Sequence, residues 1–356
     1  MKRKSILGFE ESDFLRLAES IGEKSFRGKQ LYRQIYRRKE FDFEKMTDLA
    51  VSFRDRLKEK YEVPLPEVHQ EFKSSDGTVK FLFRLTDGRF IEAVYIPEEG
   101  RDTLCISSQV GCNVGCTFCM TAQMGFQRNL RAGEIVGQVL AVIRQGYLAD
   151  NGFNIVFMGM GEPLYNYQNV MKSFRILTDP EGMNLSHRKI TVSTSGIVPV
   201  LRKLAMEPRI PNLAISLNST ENATRDRIMP INKKWPIEKL LDACREFPLE
   251  PRRRLTFEYV LLRGETDSRE DALRLSKLLR GIPAKVNVIP YNRNPGLPHQ
   301  SPTPKRIEEF LNWLTENNLS AFVRKTRGDD VSAACGQLAY LSGAQDEEEN
   351  VRIDGK

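Results

Sequence analysis

From residue 154 onward, short apolar runs alternate with amphipathic stretches, and this alternation limits the possible folds more than any other feature. The apolar runs, each with strand character, are Asn154–Met158, Lys189–Ser193, Asn212–Leu217, Arg254–Leu261, Lys285–Ile289 and Ala321–Arg324. Helical patterns precede or separate them at Ala132–Gln145, Asn169–Thr178, Pro236–Glu246, Arg269–Leu279 and Lys305–Asn317. Apolar strands that alternate with helices form a parallel sheet buried under those helices, closed or partly closed as a barrel. The expected fold class is therefore α/β. Chemistry in such barrels sits where the strands end. The 356 residues allow one large domain plus a small one, with a sizeable core.

The first third of the chain reads differently. Glu10–Ile21 carries Phe14, Leu15, Leu17, Ala18 and Ile21 at helical spacing, with Ser12 as the expected N-cap. Gly28–Arg38 and Leu49–Tyr61 give two further helices, and Pro64-Leu-Pro66 ends the unit. Period-two alternation then places strands at Val79–Leu85 and Phe90–Ile96, joined through Thr86-Asp-Gly-Arg89, with another turn at Ser74-Ser-Asp-Gly77. The expected organisation is a helical module over 1–66, a β-hairpin extension over 67–100, a core over 101–340 and a solvated acidic tail over 341–356.

Between extension and core stands Gly111-Cys-Asn-Val-Gly-Cys-Thr-Phe-Cys119, which spaces Cys112, Cys116 and Cys119 as C-x3-C-x2-C. Three thiolates on one tight loop can cap three irons of a [4Fe–4S] cluster and leave the fourth open to a small molecule. Structural zinc takes four ligands, commonly in two pairs, and no nearby Cys or His completes such a set. Clustered rather than paired cysteines suit a reducing compartment, so the cytoplasm is expected. No run of eighteen apolar residues is present, and the N-terminus lacks the apolar stretch of a secretory leader. A net charge of +7, with basic clusters at Arg33–Lys39, Arg252–Arg254 and Arg324–Arg327, is compatible with a polyanionic partner.

Small polar groups recur at the expected strand ends. Phe157-Met-Gly-Met-Gly-Glu-Pro163 places Gly161 and Glu162 after one strand, the glycines letting backbone approach a ligand and Glu162 able to accept from a cationic amine. Ser193-Thr-Ser-Gly196, Ser216-Leu-Asn218 and Asn292 follow others. Any one of these suits a helix cap or turn. Four successive strand ends of this kind favour a lined cavity. Cys244 reads as a small buried hydrophobe. Cys105 lies on the strand leading to the cysteine loop. Cys335, between Gly328-Asp-Asp330 and Gly336, admits two readings: a buried thiol, or a reactive one on a mobile segment that reaches the cavity. Glu92, by pattern alone, is a solvent-facing strand residue.

Five separated stretches carry a resemblance: Leu104-Cys-Ile-Ser-Ser-Gln-Val-Gly-Cys112, Met158-Gly-Met-Gly-Glu-Pro163, Met229-Pro-Ile-Asn-Lys-Lys234, Arg324-Lys-Thr-Arg-Gly-Asp-Asp330 and Ala333-Ala-Cys-Gly-Gln337. Together they resemble the RlmN/Cfr-like RNA adenine methyltransferases of the radical S-adenosylmethionine (SAM) superfamily, nearly end to end. The resemblance implies a partial (β/α)6 TIM-type barrel as a radical SAM core. It implies that Cys112, Cys116 and Cys119 hold a [4Fe–4S] cluster and that Gly161, Glu162, Ser193, Ser216, Leu217, Asn218 and Asn292 line a SAM pocket. It further implies two SAM per turnover: one methylates Cys335, and the other yields a 5′-deoxyadenosyl radical that takes hydrogen from the S-methyl group. The resulting methylene radical adds to C2 of an adenine, Glu92 accepts a proton, and Cys105 releases product by a disulfide with Cys335. Implied partners are 23S rRNA, tRNA and a flavodoxin- or ferredoxin-type reductant. A monomer is expected, with no membrane association. The C8-methylating sister group carries Cys in place of Val110 and differs after the cluster, where this chain has Thr121-Ala-Gln123, so C2 is favoured. Met120 stands where the family often has Ala, and Asn218 where many members carry His.

Overall fold

The computed structural model describes residues 3–149, 152–294 and 296–339; the tail expected over 341–356 lies outside them. One mixed sheet of ten strands organises the molecule. In chain order these are β1 (Glu67–Lys73), β2 (Val79–Arg84), β3 (Phe90–Ile96), β4 (Thr103–Cys105), β5 (Asn154–Phe157), β6 (Ile190–Thr194), β7 (Asn212–Ser216), β8 (Leu255–Leu261), β9 (Ala284–Pro290) and β10 (Ala321–Val323). Their order across the sheet is the same as their order in the chain. Strands β4 to β10 run parallel, and β1 to β3 continue the same sheet antiparallel from β4. Among the described residues β1 and β10 share no ladder, so the barrel is partial.

Every strand from β4 to β9 is followed by helix, which gives six strand–helix units and a closing strand. The helices are Ala132–Arg144, Tyr167–Thr178, Val198–Leu204, Asn222–Ile228 with Ile237–Arg245, Arg269–Leu278 and Pro304–Glu316. Two of these, Val198–Leu204 and Asn222–Ile228, gave no sequence signal. Seven residues make two turns, too few for a period of 3.6 to stand out.

The extension departs from the alternation its sequence suggests. Lys80, Leu82, Phe83, Glu92, Ala93 and Val94 are all buried, because both faces of β2 and β3 are covered. Tyr147 packs edge-on to Phe81, while Lys80 meets the Ser332 carbonyl in the C-terminal segment. The solvent-facing reading of Glu92 is therefore overturned: it is 2% exposed.

At the N-terminus, helices Glu11–Ser20, Ser25–Tyr36 and Val51–Lys60 pack around Phe14, Tyr32 and Tyr36, whose rings meet edge to face. Burying Phe14 alone is worth about 1.5–3 kcal/mol. The cap of the first helix is Glu10, not Ser12: the Asp13 carboxylate accepts from the Glu10 amide at 3.0 Å. The module sits directly on the core. A Cβ on Gly8 would fall 2.2 Å from the Gly133 nitrogen, and one on Gly133 would fall 2.2 Å from the Leu7 carbonyl oxygen. Only two glycines permit this approach. Tyr36 accepts the Gly8 amide at 2.8 Å, and Arg175–Glu10, Lys172–Asp13 and Arg33–Glu181 pair across the junction.

Candidate active site

The carboxyl ends of the parallel strands surround a cavity that opens to solvent. Cys112, Cys116, Cys119, Gly161, Glu162, Ser193, Ser216, Asn218, Asn292 and Cys335 all line it. Leu217, Glu92 and Cys105 do not, and each is buried. Leu217 contributes backbone: its amide donates to the Glu258 carbonyl at 3.1 Å, and its carbonyl accepts from Arg225.

The cysteine loop keeps its shape through left-handed glycines. Gly111 has φ +72°, and a Cβ there would lie 1.7 Å from the Gly125 carbonyl oxygen. Burial pushes the Cys112 thiol up to about 12 and raises Cys116 and Cys119 as well; Cys119 adds to the rise at Cys112, Cys119 and Cys112 to that at Cys116, and Cys335 to that at Cys119. Such thiols ionise when cationic iron adjoins them. Among the described residues no three Cys, His, Asp or Glu side chains converge as one mononuclear ion would require. A cluster asks something else, because each thiolate meets its own iron. The donor set fits a [4Fe–4S] cluster.

The rest of the cavity fits SAM. The Ser193 and Ser216 hydroxyls lie 3.5 Å apart on adjacent strand ends. Glu258 Oε2 and the Tyr291 hydroxyl belong to lining residues and are buried without a hydrogen-bond partner among the described residues. Polar atoms in that condition mark where a polar ligand completes the site.

Glu162 works harder as scaffold than its sequence suggests. One oxygen accepts from both the amide and the hydroxyl of Ser195, each at 2.7 Å, and the other accepts the Leu164 amide at 2.9 Å. It therefore joins the β5 and β6 loops. The glycines before it serve packing: a Cβ on Gly159 would lie 2.8 Å from the Ile106 backbone, and one on Gly161, at φ +101°, 2.5 Å from Gln109.

Sequence reasoning missed Arg225, which is fully buried. Its guanidinium donates to the carbonyls of Leu217, Ser195 and Ser216 at 2.8, 2.8 and 3.0 Å, and to the Asn232 side chain at 2.9 Å. Burial lowers its pKa to about 10, against the pull of Cys116. Two strand ends are thereby fixed beside the cysteine loop. Asn218 takes φ +58°, a conformation Asn tolerates, and accepts the Val260 amide at 3.0 Å.

Cys335 reaches the cavity on a segment anchored at both sides. The Met120 amide donates to the Gly336 carbonyl at 2.8 Å, and the Thr121 hydroxyl to the Leu338 carbonyl at 2.6 Å. Asp76, in the turn before β2, accepts the Gly328 amide at 3.1 Å. Arg324 also lines the cavity; Cys335, Glu258 and Cys105 all act on its charge, and it donates to Met158 Sδ at 3.2 Å. Burial pushes the Cys105 thiol up to about 12, and Cys335 adds to that rise.

The basic clusters divide. Lys29, Arg33 and Arg37 surround Glu181, and Arg38 pairs with Asp48 at 2.5 Å. Arg252 to Arg254 line a separate crevice where β8 begins, at the opposite end of the sheet from the cysteine loop.

Residues 106–276 match the Radical SAM superfamily, and residues 4–63 match the ribosomal RNA large subunit methyltransferase N-terminal domain. The dual-specificity RNA methyltransferase RlmN of Anaeromyxobacter dehalogenans is 51% identical over 93% of this chain and 90% of its own length. RlmN of Desulfotalea psychrophila is 48% identical over 92% and 93%. The crystal structure of a radical SAM methyltransferase from Sphaerobacter thermophilus superposes with a TM-score of 0.89 at 42% identity, covering 94% of this chain and 99% of that one. With half its residues shared along nearly its full length and the same fold, the chain belongs to the RlmN family of radical SAM RNA methyltransferases.

Proposed function

We propose that the protein methylates C2 of one adenine in 23S rRNA and of an adenine beside the tRNA anticodon, as a cytoplasmic monomer, through an S-methylated Cys335. The observation that carries this reading is that Cys335 lines the same cavity as Cys112, Cys116 and Cys119. When bound, the cluster and two SAM per turnover supply an electrophilic methyl group and then a carbon radical, which adenine C2 requires because it is too weak a nucleophile for direct transfer.

The chain's own residues do the rest. Ser193, Ser216, Asn218 and Asn292, with backbone at Gly161 and Leu217, hold SAM, while Glu162 keeps two of those loops in register. Cys335 Sγ accepts the methyl group and tethers the reacting carbon beside the base, where proximity replaces a bimolecular encounter. Glu92 accepts the proton lost from the base. Cys105, on β4, forms the disulfide with Cys335 that frees the product. The helical module over 1–66 grips RNA, leaving the extension over 67–100 and the core over 101–340 to receive an unstacked adenine.

Reconstituted protein given SAM, a flavodoxin- or ferredoxin-type reductant and unmodified rRNA fragment forms 2-methyladenosine. Cys335→Ala retains the cluster absorbance and forms none. Normal methylation by that variant would overturn the mechanism, and 8-methyladenosine in its place would overturn the assigned carbon. Parallel reactions on tRNA test the second substrate.

A further inference from the structure

Lys80 on β2 and Glu92 on β3 are two buried charges outside the cavity lining. The register pairs Lys80 with Val94 and Leu82 with Glu92, so the two are diagonal neighbours on one face. Lys80 Nζ lies 3.2 Å from Glu92 Oε1, with the side chains 9% and 3% exposed. Desolvation of a pair this deep can outweigh its attraction, and apolar residues often fill such a space as well or better. Packing therefore does not account for it.

Three contacts do. Glu92 Oε2 is buried without a hydrogen-bond partner among the described residues, while Oε1 is held by Lys80. Lys80 Nζ also donates to the Ser332 carbonyl at 3.4 Å, three residues before Cys335. The Phe72 ring, 4.9 Å from Nζ, covers the ammonium on another side.

We propose that Lys80 is a positioning residue for methyl transfer, holding Glu92 as a carboxylate through Oε1, leaving Oε2 unpartnered to take the proton, and joining that pair to the segment that carries Cys335. The inference rests on Glu92 as the proton acceptor. In that step the C2–H bond of the base adduct breaks, its electron pair stays with the base, and the proton forms an O–H bond at Oε2. The Lys80 ammonium keeps its three protons.

Burial pushes the Glu92 carboxyl up, and the charge and hydrogen bond of Lys80 act against that rise; the nearby Ala339 amide adds least and does not reach hydrogen-bond geometry with Oε2. Neighbouring elements also carry Glu67, His69, Glu71 and Lys73 on β1, Arg84 at the far end of β2, Tyr95 on β3, Cys105 on β4, Glu162 on the β5 loop, and Arg327, Asp329, Asp330 and Cys335 on the C-terminal segment. Among the described residues Lys80 alone is within ion-pair reach of Glu92. Without the ammonium, the buried carboxylate keeps its proton to higher pH and is unavailable as a base at neutrality.

The test compares Lys80→Met, Lys80→Gln, Lys80→Arg and Glu92→Gln in cluster-loaded protein with rRNA fragment, from pH 6 to pH 9. A misplaced general base costs about 10²–10⁴-fold, and Glu92→Gln shows that loss at every pH. Lys80→Met and Lys80→Gln lose about tenfold or more at pH 7, recover toward pH 9, and keep Cys335 S-methylation, read by intact mass. Lys80→Arg restores the neutral rate. A wild-type pH profile in both neutral Lys80 variants, with Glu92→Gln inactive, overturns the role of Lys80 alone. A fully active Glu92→Gln overturns the proton-acceptor reading and this inference with it. Should Lys80→Met fail to fold, Lys80→Gln, which keeps a hydrogen-bonding side chain, decides the question.

Discussion

The Asn292 side-chain amide donates to the Cys335 backbone carbonyl at 3.0 Å, while the Thr326 hydroxyl donates to the Asn292 oxygen at the same distance. A strand-end residue of the barrel thus fixes the backbone of the cysteine proposed to carry the methyl group. Asn292→Ala removes both of these part-buried hydrogen bonds, each worth about 1 kcal/mol in global stability. The larger effect falls on alignment. Cys335 S-methylation, followed by intact mass, slows by at least tenfold in the variant, and an unchanged rate would show that the segment is seated without Asn292.

Cysteine accessibility separates the thiols that the cluster does not take. Burial pushes both Cys105 and Cys244 up to about 12. At pH 8 roughly one molecule in 10⁴ then carries either as thiolate. Cys335 lines the open cavity. Iodoacetamide applied to native, reduced, cluster-loaded protein therefore modifies Cys335 at least tenfold faster than Cys105 or Cys244, as peptide mapping reports. Comparable labelling of Cys244 would contradict the burial of that site.

Arg225→Met tests the buried guanidinium as a scaffold. The substitution keeps much of the side-chain volume but leaves the Ser195, Ser216 and Leu217 carbonyls without their donor. The expected cost is about 3 kcal/mol or more, seen as a fall of several degrees in Tm. SAM affinity, measured by calorimetry, falls with it. Retention of both would place the organisation of those strand ends elsewhere.

Asp76 gives an acid limb to the seating of the Cys335 segment. Burial raises its carboxyl, yet hydrogen bonds from Thr78, Ser74 and the Gly328 amide bring it down to about 2. A carboxyl depressed on folding contributes stability above its unfolded pKa, near 3.9, and loses that contribution as pH falls through the folded value. The Asp76 contribution is accordingly constant from pH 8 to about 5 and disappears toward pH 2. Denaturant midpoints measured across this range fall less steeply in Asp76→Asn; an identical acid limb would remove Asp76 from the anchor.

Gly161, Glu162, Ser193, Ser216, Asn218 and Asn292 were legible in the sequence because a strand end is marked by an abrupt change from apolar to small polar residues. The C-x3-C-x2-C spacing marked Cys112, Cys116 and Cys119, while Cys335 admitted two readings. Arg225 was not legible, because Asn222–Ile228 is short and Arg-Asp-Arg reads as a solvated helix face. Glu258 leaves a usable signal, an acid inside the apolar run Arg254–Leu261. The pairing of Arg33 with Glu181 spans 148 residues and follows from docking of the module, so no local pattern contains it. Glu92 failed in the opposite sense: alternation gives the period of a strand but not whether a second layer covers its outer face.

The backbone meeting of Gly8 and Gly133 has a metrical consequence. No side chain lies between those two backbones, so sliding or pivoting the module on the barrel would break that contact and the ion pairs Arg175–Glu10, Lys172–Asp13 and Arg33–Glu181 around it. If the module grips RNA as proposed, the two parts would act as a caliper with a fixed gap, and any RNA presenting an adenine at that distance from the gripped part would qualify, whatever its sequence.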